Sequence, residues 1–152
     1  GKELRFWASI LSILLIDQFT KYWISGKIAV GGSIRLIDDI VTLTYVHNRG
    51  AAFGILQGQG PFFLIMALLV TVGLVYYHLK YSPPRWLQYA SGCIVGGALG
   101  NVIDRWFYGS VRDFISVGWW PVFNVADMAI VCGGALLMLY VLLNEKSELT
   151  GN

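Results

Sequence analysis

Charge is what this sequence has least of. Of 152 residues only 13% are Asp, Glu, Lys or Arg, the net charge is +2, and 56% are hydrophobic. An average soluble domain carries roughly 25% charged residues, so a mean hydropathy of +0.61 places the chain in a membrane. The small net charge and the lack of any run of like charges set nucleic-acid binding and a polybasic tail aside. Cysteine is nearly absent as well. Cys93 and Cys132 have no C-x-x-C spacing, so neither a disulfide nor a metal site is expected. His47 and His78 are single, far apart and without the spacing of zinc ligands, which favours packed or interfacial histidines.

Long apolar runs are plentiful. A helix needs about 20 largely apolar residues to cross the hydrocarbon, and four windows qualify: 6–24, 61–79, 86–103 and 122–143. They predict an all-α integral membrane protein, a four-transmembrane-helix bundle forming a single membrane domain over 1–152. The run after Lys2 and Arg5 could serve as a signal-peptide core, but no small-x-small cleavage site follows and the pattern continues to Ile24, so a retained first helix is expected. The start at Gly1-Lys2 in place of Met is read as trimming or tagging. Gly92, Gly96 and Gly100 make a small-x-x-x-small register for close helix approach, with Gly133 and Gly134 as a complementary face. The second window holds no Asp, Glu, Lys or Arg and reads as a lipid-facing wall.

Residues 27–60 are the longest stretch without a span. Val41 to Tyr45 alternates like a half-buried strand, and Gly31-Gly32 and Asp38-Asp39 are turn signals, which predicts a small sheet on the membrane surface. Asn48-Arg49-Gly50-Ala51-Ala52-Phe53-Gly54 then combines small residues, which let a backbone approach a ligand, with one aromatic, and reads as a tight connection or a lid. Four spans put both termini on one side. Lysine and arginine divide five against six between the faces, and the short loop at Lys80 and Arg85 decides for cytoplasmic termini.

Against this background the ionisable residues near the spans carry the functional question, because such groups are costly at membrane depth and persist where they face an interior or a wet cavity. Asp17 and Lys21 are i,i+4 and can pair, a structural device at a helix end. Asn101, Asp104 and Arg105 fall at i, i+3 and i+4 and are expected to form one polar cluster, with Asp104 a brace. Asp113 and Asp127 differ. Asp113 lies in the apolar, strand-like phrase 111–115, and Asp127 shares a helix face with Asn124 and has no cation within one turn. Carboxylates in apolar settings have raised pKa values, and two close together tend to hold one proton, which suits general acid–base chemistry. Two aspartates by count alone also fit a helix brace or, as a competing class, a proton path.

Five phrases narrow the choice. Asp17-Gln18-Phe19-Thr20-Lys21, Asn48-Arg49-Gly50-Ala51-Ala52-Phe53, the run 96–105 ending Ile103-Asp104-Arg105, Val111-Arg112-Asp113-Phe114 and Phe123-Asn124-Val125-Ala126-Asp127 resemble, in this order, the motif set of bacterial lipoprotein signal peptidase, or signal peptidase II. The resemblance implies an aspartic endopeptidase of the bacterial cytoplasmic (inner) membrane that needs no cofactor and cuts diacylglyceryl-modified prolipoproteins just before the lipidated cysteine. It implies Asp113 and Asp127 as the catalytic dyad. Asn48, Gly50, Asn101, Arg105 and Asn124 would bind or orient, and Asp17, Lys21 and Asp104 would support. It also implies an extracytoplasmic β-cradle and lid between helices 1 and 2 (27–60), an active site toward the extracytoplasmic face, membrane lipids as surroundings, and cyclic peptide antibiotics such as globomycin as occupants of the groove.

Overall fold

The computed structural model describes residues 3–50 and 56–151. Four long helices carry the fold: α1 (Leu4–Ser25), α2 (Gly60–Tyr81), α3 (Arg85–Tyr108) and α4 (Val125–Leu149). Three strands interrupt them: β1 (Ser33–Ile37) and β2 (Val41–Asn48) between α1 and α2, and β3 (Val111–Ser116) between α3 and α4. The helix breaks follow local chemistry. Pro61 stands in the first turn of α2, where a missing N–H is tolerated. Ser82 adopts a left-handed conformation ahead of Pro83-Pro84, which turns the chain into α3, and Gly109 ends α3 at a φ of +71°. The fourth helix begins at Val125 rather than 122 because Asn124 caps it.

α3 is the central helix, with α1 and α4 packed along it and α2 at the periphery. Its glycines set both interfaces. A Cβ on Gly92 or Gly96 would meet the Phe6 and Ile10 carbonyls of α1 at 2.8 Å each, so the 92/96/100 register faces α1. A second face joins α3 to α4, through Gly133 as expected and through Gly97, which the spacing did not single out: a Cβ on Gly97 would lie 2.5 Å from the Ala126 carbonyl, and one on Gly133 would lie 2.5 Å from that of Ala90. Gly134, expected to share this face, meets nothing within 4 Å.

α2 and α4 are long and apolar enough to cross a membrane. α1 and α3, 22 and 24 residues long, instead bury the polar and small residues of the bundle. On α2 only His78 is buried, in keeping with a wall that faces outward, and its ring stacks on Phe6 at 4.1 Å.

The sheet differs from the expectation in one respect. It has three antiparallel strands in the order β1-β2-β3, and the third comes from the far side of the sequence, not from 27–60. Val46 pairs with Asp113, His47 with Arg112 and Asn48 with Val111. A strand-like phrase is visible locally, but its partner is not, since pairing joins residues more than sixty positions apart. Phe114, Tyr45, Ile28 and Ile24 form a small core that fastens the sheet to the end of α1. The lid phrase 51–54 lies outside the described residues.

Candidate active site

Asp113 projects from β3 and Asp127 from the first turn of α4, so a strand and a helix start bring them together. Asn124 is the common pivot. Its Oδ1 accepts from the Asp127 backbone N–H at 2.8 Å while Asp127 Oδ2 accepts from the Asn124 N–H at 3.2 Å, a reciprocal capping box that satisfies two open helix donors. Its Nδ2 donates to Asp113 Oδ1 at 2.8 Å, with the Asn101 Oδ1 at 3.2 Å and the Arg112 carbonyl at 3.3 Å also in range. Asn101 in turn donates through Nδ2 to Asp127 Oδ1 at 3.1 Å, and Asn48 supplies a further side-chain hydrogen bond to Asp113. The two carboxylates thus lie in one asparagine network.

Their electrostatic setting is unusual. Asp113 is only 2% exposed and makes no salt bridge among the described residues. Burial, reinforced by the charge of Asp127, pushes its carboxyl up to about 7, against the opposing pull of hydrogen bonds from Asn48 and Asn124 and of the Lys21 charge. Near neutral pH Asp113 is therefore partly protonated. Each Asp127 oxygen accepts one N–H, which favours its ionised form.

A second buried cluster lies directly behind. Lys21 Nζ reaches Asp17 Oδ2 at 2.8 Å, Asn101 Oδ1 at 3.0 Å and Asp104 Oδ2 at 3.3 Å, with both ion-pair partners fully buried. Arg112 grips Asp104 with its fork, Nε to Oδ2 at 3.1 Å and Nη2 to Oδ1 at 2.8 Å, and adds its backbone N–H at 2.9 Å. Burial disfavours the guanidinium charge, but the bonds to Asp104 outweigh it, and the Arg112 pKa rises. Asp17 Oδ1 accepts from the Ala126 N–H at 3.0 Å, so a carboxylate of α1 holds the first turn of α4, the turn that carries Asp127.

Two expectations need correction. Asp104 does brace, but through Arg112 and Lys21 and not through its neighbour Arg105. The cluster expected of Asn101, Asp104 and Arg105 holds for the first two, which Lys21 bridges, while Arg105 diverges from Asp104 and lines the groove in front, which Asn101 also reaches. Adjacent residues diverge by about 100° around a helix, given 3.6 residues per turn, which is why spacing alone could not keep them together. Gln18 and Arg112 were missed as members of the rear network. Both lie inside the quoted phrases: Gln18 Nε2 donates to Asp104 Oδ1 at 3.2 Å, and Gln18 Oε1 accepts from Arg112 Nη2 at 3.2 Å.

In front of the pair opens a groove of about 410 Å³. Asn48, Gly50, Asn101 and Arg105 line it beside Asp113 and Asp127, and Trp120, Val122, Met128 and Val131 make an apolar wall. The Arg105 guanidinium lies over the Phe63 ring at 5.1 Å. An apolar trough with paired carboxyls at its floor can hold an extended or helical apolar peptide with one of its carbonyls near a water activated by the pair.

Comparison with known proteins converges on one family. The family model described as signal peptidase (SPase) II matches residues 9–143. A lipoprotein signal peptidase of Syntrophomonas wolfei is 50% identical over 145 residues, covering 95% of this chain and 97% of the relative. One of Halothermothrix orenii is 44% identical, covering 90% and 94%. A solved bacterial membrane enzyme structure superposes with a TM-score of 0.84 at 35% identity, covering 93% of this chain and 88% of the other.

Proposed function

Since the chain belongs to the signal peptidase II family of proteases, we propose that it removes the signal peptide from diacylglyceryl-modified prolipoproteins, with Asp113 and Asp127 as its catalytic pair. The observation that carries the residue assignment is the Asn124 network: a buried carboxyl from β3 and a half-buried one from α4, both held by one asparagine where they line an apolar groove.

The chemistry follows from the two environments. Asp127, ionised, takes a proton from a water whose oxygen attacks the scissile carbonyl, and protonated Asp113 donates to the carbonyl oxygen. Collapse of the tetrahedral intermediate breaks the C–N bond: Asp127 passes the proton it took from water to the leaving amine of the lipidated cysteine, a hydroxyl of the intermediate returns its proton to Asp113 as the new carboxyl group forms, and the pair again holds one proton. Asn48, Gly50 and Arg105 border the groove where the substrate backbone lies, and Asn101 and Asn124 orient the pair.

The same reading sets the topology. All four helices span the inner membrane, the termini are cytoplasmic, and the sheet and dyad face the extracytoplasmic side. A signal peptide, itself an apolar helix, enters sideways past Met128 and Val131 while the acyl chains stay in lipid, and cyclic peptide antibiotics of the globomycin type compete for the same trough.

The test is a gel-shift cleavage assay in a bilayer mimetic with lipidated and unlipidated prolipoprotein. Wild type should cut only the lipidated form, and Asp113→Asn and Asp127→Asn should each lose roughly 10³-fold or more in rate. Uncut lipidated substrate with folded wild type, or cutting by both variants, would overturn the assignment.

A further inference from the structure

A second cavity, of about 330 Å³, shares Arg105 with the groove. Arg49 and Arg105 line it together with the backbone of Gly58, Gly60 and Gly109 and the apolar side chains of Leu64 and Trp106. Its position is where α2 begins and α3 ends: a Cβ on Gly60 would sit 3.9 Å from the Gly109 carbonyl.

Three features give it one chemistry. No carboxylate lines the cavity, and neither arginine makes a salt bridge among the described residues. The N-terminus of α2 opens onto it without a side-chain cap, so the positive end of the helix dipole adds to the two guanidinium groups. The three glycines leave backbone uncovered, which lets a bulky anion approach closely. Two arginines around one space match the oxygens of a phosphate, and Leu64 and Trp106 supply an apolar wall for whatever carries it.

We propose that this cavity binds a phosphate group, that of an anionic phospholipid headgroup or free phosphate, between Arg49 and Arg105. On the span reading given above, the ends of α2 and α3 lie at the membrane surface, where lipid phosphate is the abundant anion. Arg105 lines both cavities, so a phosphate held in this one fixes the guanidinium that borders the peptide groove. Arg49, unlike Arg105, lines only the phosphate cavity.

The experiment is direct binding to the full chain in neutral detergent, read by fluorescence anisotropy of a short-chain fluorescent phosphatidylglycerol, and it does not depend on cleavage. The probe should bind wild type, and Arg49→Gln should weaken it by roughly tenfold or more, the loss of one charge-assisted hydrogen-bonding partner. A diacylglycerol with the same chains should not compete. Competition by inorganic phosphate supports free phosphate as the ligand, and its failure to compete supports the lipid. Unchanged probe affinity in Arg49→Gln, or equal competition by the phosphate-free diacylglycerol, overturns the site. Arg49 is exposed, so an unaltered melting temperature in Arg49→Gln certifies that any loss is of binding and not of fold.

Discussion

Two acidic clusters share the centre of this bundle, and they are neutralised in opposite ways. The rear one, Asp17 and Asp104, is matched by Lys21 and Arg112, two charges against two. The front one, Asp113 and Asp127, makes no ion pair among the described residues and is held by asparagines. Cation compensation makes a rigid support, because leaving either partner alone in a dry interior is expensive. Proton compensation makes a reagent, because the proton can leave. The contrast explains why four neighbouring aspartates divide into two that support and two that the proposal makes chemical.

The contrast can be broken most sharply at the front. Either dyad Asp→Asn variant should abolish cleavage while keeping the fold, as the assay above measures. At the rear the order of effects should reverse. Lys21→Met leaves Asp17 and Asp104 short of a cation and should cost roughly 3–5 kcal/mol of stability, seen as a lower melting temperature in detergent before any kinetic effect is considered.

The proton itself gives the next test. With the Asp113 carboxyl raised to about 7, the folded state binds more protons than the unfolded chain between the ordinary carboxylate range and pH 7. Stability should therefore fall as pH rises through that window and level off above it. Asp113→Asn removes this penalty while keeping an acceptor for Asn124, so the variant should be more stable than wild type at pH 8, by an amount on the order of a few kcal/mol, and the difference should vanish near pH 4. Cleavage by wild type should decline above pH 7 as the donor proton is lost. A melting-temperature difference independent of pH would remove Asp113 as the proton's seat.

The smallest effect concerns the seam that sets the two clusters side by side. Gly97→Ala pushes a methyl against the Ala126 carbonyl and Ile130, which should cost about 1–3 kcal/mol and lower turnover by displacing the first turn of α4. Gly134→Ala, in open space, should stay within about 0.5 kcal/mol. Equal effects of the two would mean that the α3–α4 contact is looser than the geometry requires.

How far the sequence carried this picture depends on range. Helix positions, the strand over Val41–Tyr45, the Asp17–Lys21 pair and the standing of Asp113 and Asp127 apart from Asp104 all follow from hydropathy and spacing within a few residues. What stayed hidden needs contact between distant segments. Asp17 caps a helix 109 positions away, and β3 completes a sheet begun before α2. Arg112 takes Asp104 from the neighbour that spacing had assigned to it. Gly97 gives no local signal, because its partner face lies on another helix and it stands outside the regular 92/96/100 register.

The capping box at the start of α4 has a kinetic consequence. Asp127 stands three residues past the cap, and one of its oxygens closes the box while the other meets Asn101. Its side-chain torsions are thereby fixed by the folding of the helix, before any peptide arrives, and no rotamer search remains for the moment of reaction. Lengthening the side chain by one methylene, as in Asp127→Glu, would keep the charge yet force a choice between capping the helix and facing the groove. A position that must serve both tasks has almost no room to vary.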